Sequence, residues 1–109
     1  MMKSKIEIFL ELLEKEEYFL AHEVLEELWF PRRFEKTPFV QLLRGCINAA
    51  VSFELYKRGR VEPSQKVYKN FLKYKDNLHF VDSELCDIMQ QCIAGIEKKY
   101  ALLYNCKKN

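Results

Sequence analysis

The sequence predicts an all-α fold, a single bundle of about five antiparallel helices over residues 1–109. Apolar residues recur at three- and four-residue spacing in most segments, the signature of helices with one buried face. Only three glycines and three prolines occur, too few for the many turns of an all-β chain. The third observation is size and richness. At 109 residues, with 49% hydrophobic and 31% charged side chains, the chain fills one core and has no disordered composition. No internal repeat, linker or low-complexity run divides it.

Ser4 is placed to cap a first helix carrying Ile6, Phe9, Leu10 and Leu13, which ends near Glu14–Glu16. A second segment, Glu17 to Phe30, carries Tyr18, Ala21, Leu25, Leu28 and Trp29 and is closed by Pro31. The sequence leaves open whether these two form one kinked helix. Thr37-Pro38 starts a third helix, because proline is preorganised for the first helical position. Its pattern runs to Arg58, where Gly59 offers a stop, and it is the most apolar of the five. Within it Gly45, lacking a side chain, allows close approach of another helix. Pro63 opens a fourth helix with Val67, Phe71, Tyr74 and Leu78 inward. Asp82 or Ser83 caps a fifth carrying Leu85, Ile88, Met89, Cys92, Ile96, Tyr100 and Leu103. Short connections make successive helices antiparallel. The spacing of Tyr56, Tyr68, Phe71, Tyr74 and Phe80 suits packing and carries no sign of base stacking.

A formal charge of +2 points away from a dedicated nucleic-acid binder, and by itself names no partner. No apolar stretch is long enough for a membrane span, and Glu7 interrupts any signal-like core after Met1–Lys5, so a cytoplasmic protein is expected. Cys46, Cys86, Cys92 and Cys106 form neither a Cys-x-x-Cys pair nor a disulfide framework, and read as reduced thiols within apolar faces. Cys92 and Cys106 are separated by about 21 Å of helical rise, too far to share a metal ion.

The informative segment is His22-Glu23-Val24-Leu25-Glu26-Glu27-Leu28-Trp29. At about 100° per residue, His22 and Glu26 fall between the apolar side holding Ala21, Leu25 and Trp29 and a second arc holding Phe19 and Phe30. Glu23 and Glu27 lie nearly opposite the apolar stripe. Ionisable groups inside an apolar arc need partners, since an unpaired buried carboxylate costs several kcal/mol. His22, Glu26 and Trp29 are therefore expected to be less exposed than Glu23 and Glu27, with Glu26 hydrogen-bonded and the Trp29 indole N–H meeting a carboxylate. In the third helix Gln41, Arg44 and Asn48 form a polar stripe. It either faces His22 and Glu26 across a helix pair, completing a polar pocket, or is the wet edge of a buried helix.

From about Phe9 to Leu78 the chain resembles the small helical family known as domain of unknown function 309, on the strength of His22-Glu23, Glu26 and Trp29. Gly45-Cys46-Ile47-Asn48 resembles a second hallmark of that family, with Asn48 where an amide, usually Gln, stands. Gly59-Arg60 and Pro63-Ser64 depart from its later glycine pairs. The resemblance implies an all-α fold and a shared polar site, and carries no activity.

Three classes of function compete. His22 and Glu26, four apart on one face and with Glu23 as a third donor, could hold a hard divalent ion or act in acid–base catalysis, although the second His of His-Glu-x-x-His is missing. No other cofactor is expected. Arg32-Arg33 and Arg58 with Arg60, following two helices, could bind a phosphate-bearing ligand or the phosphates of a nucleic acid, yet cations at helix C-termini are favoured by the macrodipole alone. The leading reading is a structural or protein-interaction module, with a protein partner or a homo-oligomer, in which His22, Glu23, Glu26, Trp29, Arg44 and Asn48 form a polar cluster.

Overall fold

A computed structural model describes residues 2–105, with Asn105 described by its backbone alone; Cys106 lies outside them. Five α-helices follow in order, α1 (Met2–Glu14), α2 (Tyr18–Trp29), α3 (Pro38–Lys57), α4 (Val61–Tyr74) and α5 (Ser83–Asn105). Short 3-10 turns cover Phe30–Arg32 and Lys75–Phe80, and no strand occurs among the described residues.

Helix α1 already includes Ser4, which therefore does not cap it. The first two helices are separate. Glu16 takes a left-handed conformation, φ 62°, while the Glu17 N–H donates to Leu12 O at 2.9 Å and the Glu16 N–H to Leu13 O at 3.1 Å. This is a Schellman stop built on a glutamate where glycine is usual. Helix α3 starts as its sequence dictates: Thr37 is extended, its Oγ1 accepts from the Val40 N–H at 3.3 Å, and Pro38 follows. It stops at Gly59, whose φ of 81° suits a residue without Cβ. Half of its 20 residues are buried, from Val40 to Phe53.

Successive helices run antiparallel. Gly45, Asn48 and Phe53 of α3 meet Tyr74, Asn70 and Tyr68 of α4 in reverse order. Tyr68 and Ser64 of α4 meet Tyr100 and Tyr104 of α5 in the same way. At Gly45 a Cβ would come within 3.0 Å of Tyr74 Cβ and 3.6 Å of Phe71 Cα, so the expected close approach is made by α4.

The phase of α4 differs from the sequence expectation. The helix begins at Val61, with Pro63 in its first turn, where the missing N–H has no helical partner to lose. Its buried residues are Ser64, Tyr68 and Phe71; Val67, Tyr74 and Leu78 are only partly covered. In this phase Tyr68 and Phe71 are the large side chains buried, and Ser64 Oγ hydrogen-bonds the Tyr104 hydroxyl beneath a stack in which the Tyr68 and Tyr100 centroids lie 3.9 Å apart. Phe80, placed with the packed aromatics by its spacing, is instead 73% exposed in the turn after α4. Cys46 and Cys92 are fully buried thiols and Cys86 is half-buried. No described helix is long and apolar enough to cross a membrane.

Candidate functional site

Helix α2 lies between α1 and α3, packing Tyr18, Ala21, Leu25 and Leu28 inward. Its N-terminal half forms one wall of a groove against α3, lined by Tyr18, Phe19, His22, Val51, Glu54, Leu55 and Arg58 and enclosing about 270 Å³. Val51 and Leu55 supply apolar lining. Arg58 Nε donates to Glu54 Oε2 at 2.7 Å. Tyr18 is 2% exposed and its hydroxyl has no partner among the described residues. Burial, reinforced by the carboxylates of Glu16 and Glu54, pushes that hydroxyl up to about 12, so it stays protonated at neutral pH.

His22 stands at the edge of this groove with its ring against Phe19, centroids 5.5 Å apart. Nδ1 is 3.1 Å from the Phe19 carbonyl oxygen, an acceptor only, so the neutral ring carries its proton on Nδ1. Nε2 then keeps its lone pair and lies 3.6 Å from Glu26 Oε1.

The structure brings together only part of the expected cluster. His22 and Glu26 are neighbours, but Glu26 is not buried: its side chain is 47% exposed, against 20% for His22, and their separation exceeds a hydrogen bond. A short helix packed on two sides leaves its third side in water, and Glu26 points along that side with Phe19, Glu23 and Phe30. Trp29 packs half-buried on the core, and its indole N–H meets no carboxylate among the described residues. Arg44 and Asn48 do not face His22. The Arg44 guanidinium lies 5.4 Å over the Tyr74 ring, Asn48 Nδ2 donates to Arg44 O at 2.7 Å, and Asn70 Nδ2 donates to Asn48 Oδ1 at 3.1 Å. The stripe is thus the wet edge of α3, turned toward α4. The expected pocket joining it to His22 does not form.

Among the described residues no three His, Cys, Asp or Glu side chains converge as metal ligands, so Glu23 does not complete a triad with His22 and Glu26. The arginines form no common anion site either. Because Tyr18 near the start of α2 meets Phe53 near the end of α3, Arg32 and Arg33 lie at the opposite end of the helix pair from Arg58 and Arg60. Arg33 is occupied, donating to Phe30 O at 2.6 Å and lying 3.7 Å from the Phe30 centroid and 4.6 Å from that of Phe34.

Sequence reasoning places Phe19 and Phe30 on one apolar arc but reveals neither that this arc faces solvent nor that Phe34 is exposed. Phe19, Phe30 and Phe34 are 51%, 54% and 83% exposed, and a cleft beside Phe30 is lined by Glu23, Glu26, Glu27, Phe30 and Pro31. The signal was present as Phe30-Pro31-Arg32-Arg33-Phe34, two phenylalanines around a proline turn with cations to cover them.

Residues 6–67, from α1 into α4, match the family described as domain of unknown function, DUF309. The chain belongs to that family. The match takes in His22, Glu23, Glu26 and Trp29 together with the whole of α3. Comparison with curated proteins and with solved structures returned no match.

Proposed function

We propose that this DUF309 chain is a protein-interaction module that presents the outward side of α2 and the turn after it to a partner. The observation that carries the reading is the exposure of Phe19, Phe30 and Phe34 on the outward side of α2 and the turn after it, with Glu23 and Glu26 between the first two along the helix. Large aromatic rings gathered on a surface and framed by charge mark contact sites, because covering them recovers burial energy and the charges set orientation. Arg33, folded over Phe30 and Phe34, holds the turn in place and reduces the ordering cost of binding. The competing idea, a network that fixes packing register, has little support: Glu26 is half-exposed, and among the described residues the fully buried polar side chains are Ser52 and Ser64. Reduced, buried thiols at Cys46 and Cys92 suit a reducing compartment such as the cytoplasm.

The test is photo-crosslinking in cells with benzoylphenylalanine in place of Phe34, and in place of Gln91 on exposed α5 as control. A discrete adduct from position 34 alone, lost with Phe19→Ser plus Phe30→Ser while the thermal midpoint is kept, is the expected result. No adduct from position 34 sinks the reading.

A second reading rests on the fixed His22 ring. With Nδ1 tied to a backbone carbonyl, Nε2 and the Glu26 carboxylate could share one divalent ion that keeps most of its water. Titration with Mn²⁺ or Zn²⁺ should then raise the unfolding midpoint of wild type and not of His22→Ala.

A further inference from the structure

We propose that the partner of the α2 face is a second copy of this chain, which docks its basic α4 face there, head to tail. The proposal rests on the interaction reading above and names the occupant. The net charge of +2 hides a strong segregation. Between residues 7 and 27 there are eight glutamates and one lysine; between residues 57 and 75 there are seven lysines and arginines and one glutamate.

Of these charges, Glu23, Glu26 and Glu27 lie on α2 and Lys66, Lys69, Lys73 and Glu62 on α4, the two helices that flank α3; the others lie on α1, at the end of α3 and in the turns. On α2 and its helical C-cap Phe30, residues Phe19, Glu23, Glu26 and Phe30 fall within about 60° of one another, with the carboxylates between the two rings. Glu23 has no cationic partner among the described residues, and Glu26 has only His22. On α4, Lys66, Lys69 and Lys73 likewise share about 60° of arc. All three are exposed, and none has a carboxylate partner among the described residues. Leu72, 46% exposed, and Phe80, 73% exposed in the following turn, add apolar contact beside the lysines. The α2 face therefore combines acidic charge with exposed apolar groups. The α4 face combines net positive charge, three lysines against Glu62 on the same arc, with its own, so the two net signs are opposite.

Charge also selects the geometry. Pairing α2 with α2 across a two-fold axis would set glutamates against glutamates, and pairing α4 with α4 would set lysines against lysines. Only the contact of α2 with α4 is complementary; made once, head to tail, it is heterologous and leaves one free face of each kind on the pair, whereas a reciprocal two-fold pair would close at the dimer. Association should therefore continue past the dimer to a ring or a short chain, and salt should weaken it.

The experiment is sedimentation of the purified full chain at about 50 mM and about 500 mM NaCl, the range over which surface charges become screened. Wild type should exceed twice the 13.1 kDa monomer mass as concentration rises at low salt, and return to monomer at high salt. Glu23→Lys with Glu26→Lys, and separately Lys66→Glu with Lys69→Glu and Lys73→Glu, should each be monomeric. Mixed in equal amounts they should associate again, because each reversed face then finds its complement. Circular dichroism checks that both variants are folded. A wild type that stays monomeric at low salt overturns the proposal, as does a folded pair of variants that fails to recombine. Capture of a different polypeptide by the position 34 crosslinker, with the chain itself monomeric, also overturns it but leaves the interaction reading standing; no adduct at all removes both. Salt-sensitive binding of a DNA duplex by wild type, lost in the α4 variant and without self-association, would assign the basic face to a polyanion and overturn this proposal alone.

Discussion

Helix α3 meets its two flanking helices in different ways. Against α4 it has Gly45, which brings the helices so close that a single methyl would press on Tyr74 and touch Phe71, while the Phe53 and Tyr68 rings pack tilted, centroids 6.0 Å apart, further along. Against α2 it presents Val51 and Leu55 with no glycine between them, and a groove of about 270 Å³ remains, edged by His22 and Arg58. A small residue at a crossing lets ridges close into a dry seam, whereas branched side chains at the corresponding place hold two helices apart. The closed seam serves stability. The open one leaves side chains available to something else, and α2 carries the exposed rings and unpaired acids.

The largest effect should come from breaking the closed side. Phe71 is fully buried, and Phe71→Ala should cost about 3–5 kcal/mol in urea unfolding, as removal of a core aromatic does. Phe19→Ala, on the open side and half-exposed, should stay within about 0.5 kcal/mol of wild type. Equal losses at the two positions would mean that the α2 surface is part of the core after all.

The dry interior also holds groups that must stay neutral, which makes alkaline pH a second probe. Burial pushes the Cys46 thiol well above its ordinary 9.0 and that of Cys92 to about 12. Their folded values exceed the unfolded ones, so this contribution is fully present below pH 9 and is lost as pH rises through the folded value. Between pH 9 and about 12 for Cys92, stability should fall by roughly 1.4 kcal/mol per pH unit for each such thiol. Comparing wild type with Cys92→Ala across that range isolates one thiol: the variant should show the shallower slope, and parallel slopes would contradict the burial argument.

A smaller test sharpens the seam itself. Gly45→Ala gains about 1 kcal/mol of helix propensity but must insert a Cβ at 3.0 Å from Tyr74 Cβ, an atom fixed to the α4 backbone. The net result should be a loss of about 1 kcal/mol in denaturant unfolding. A more stable variant would show that the α3–α4 seam can open without cost.

The fold was legible because burial writes a period into the chain. Thr37-Pro38, Gly59 and the apolar repeat of α3 fixed that helix almost to the residue, and Gly45 announced a close contact. What periodicity lacks is knowledge of which neighbour each face meets. In its inward phase α4 buries Ser64 against Tyr104, forty residues away, and Tyr68 against Tyr100, and nothing local encodes those pairs. The polar stripe of α3 was visible, but its direction toward Tyr74 and Asn70 was not. The net charge averaged away the contrast between α2 and α4, which is visible when charge is counted by segment instead of over the whole chain. His22 and Glu26 were correctly singled out as neighbours; their burial was overestimated because a helical wheel has no knowledge of where flanking helices stop.

That last difference sets the smallest effect and the most direct test of the open side. If Glu26 belonged to a buried network, Glu26→Ala would strand His22 and cost about 3 kcal/mol or more, as loss of one member of a buried ion pair does. With the carboxylate 47% exposed and 3.6 Å from Nε2, solvent screens the pair, and the expected cost is below about 0.5 kcal/mol. Urea unfolding resolves the two values easily. A near-silent Glu26→Ala that also weakens low-salt self-association would separate the residue's role on the surface from any role in the fold, which is the distinction the two flanks of α3 display. A loss of several kcal/mol would instead place Glu26 in the interior and return the α2 face to the core.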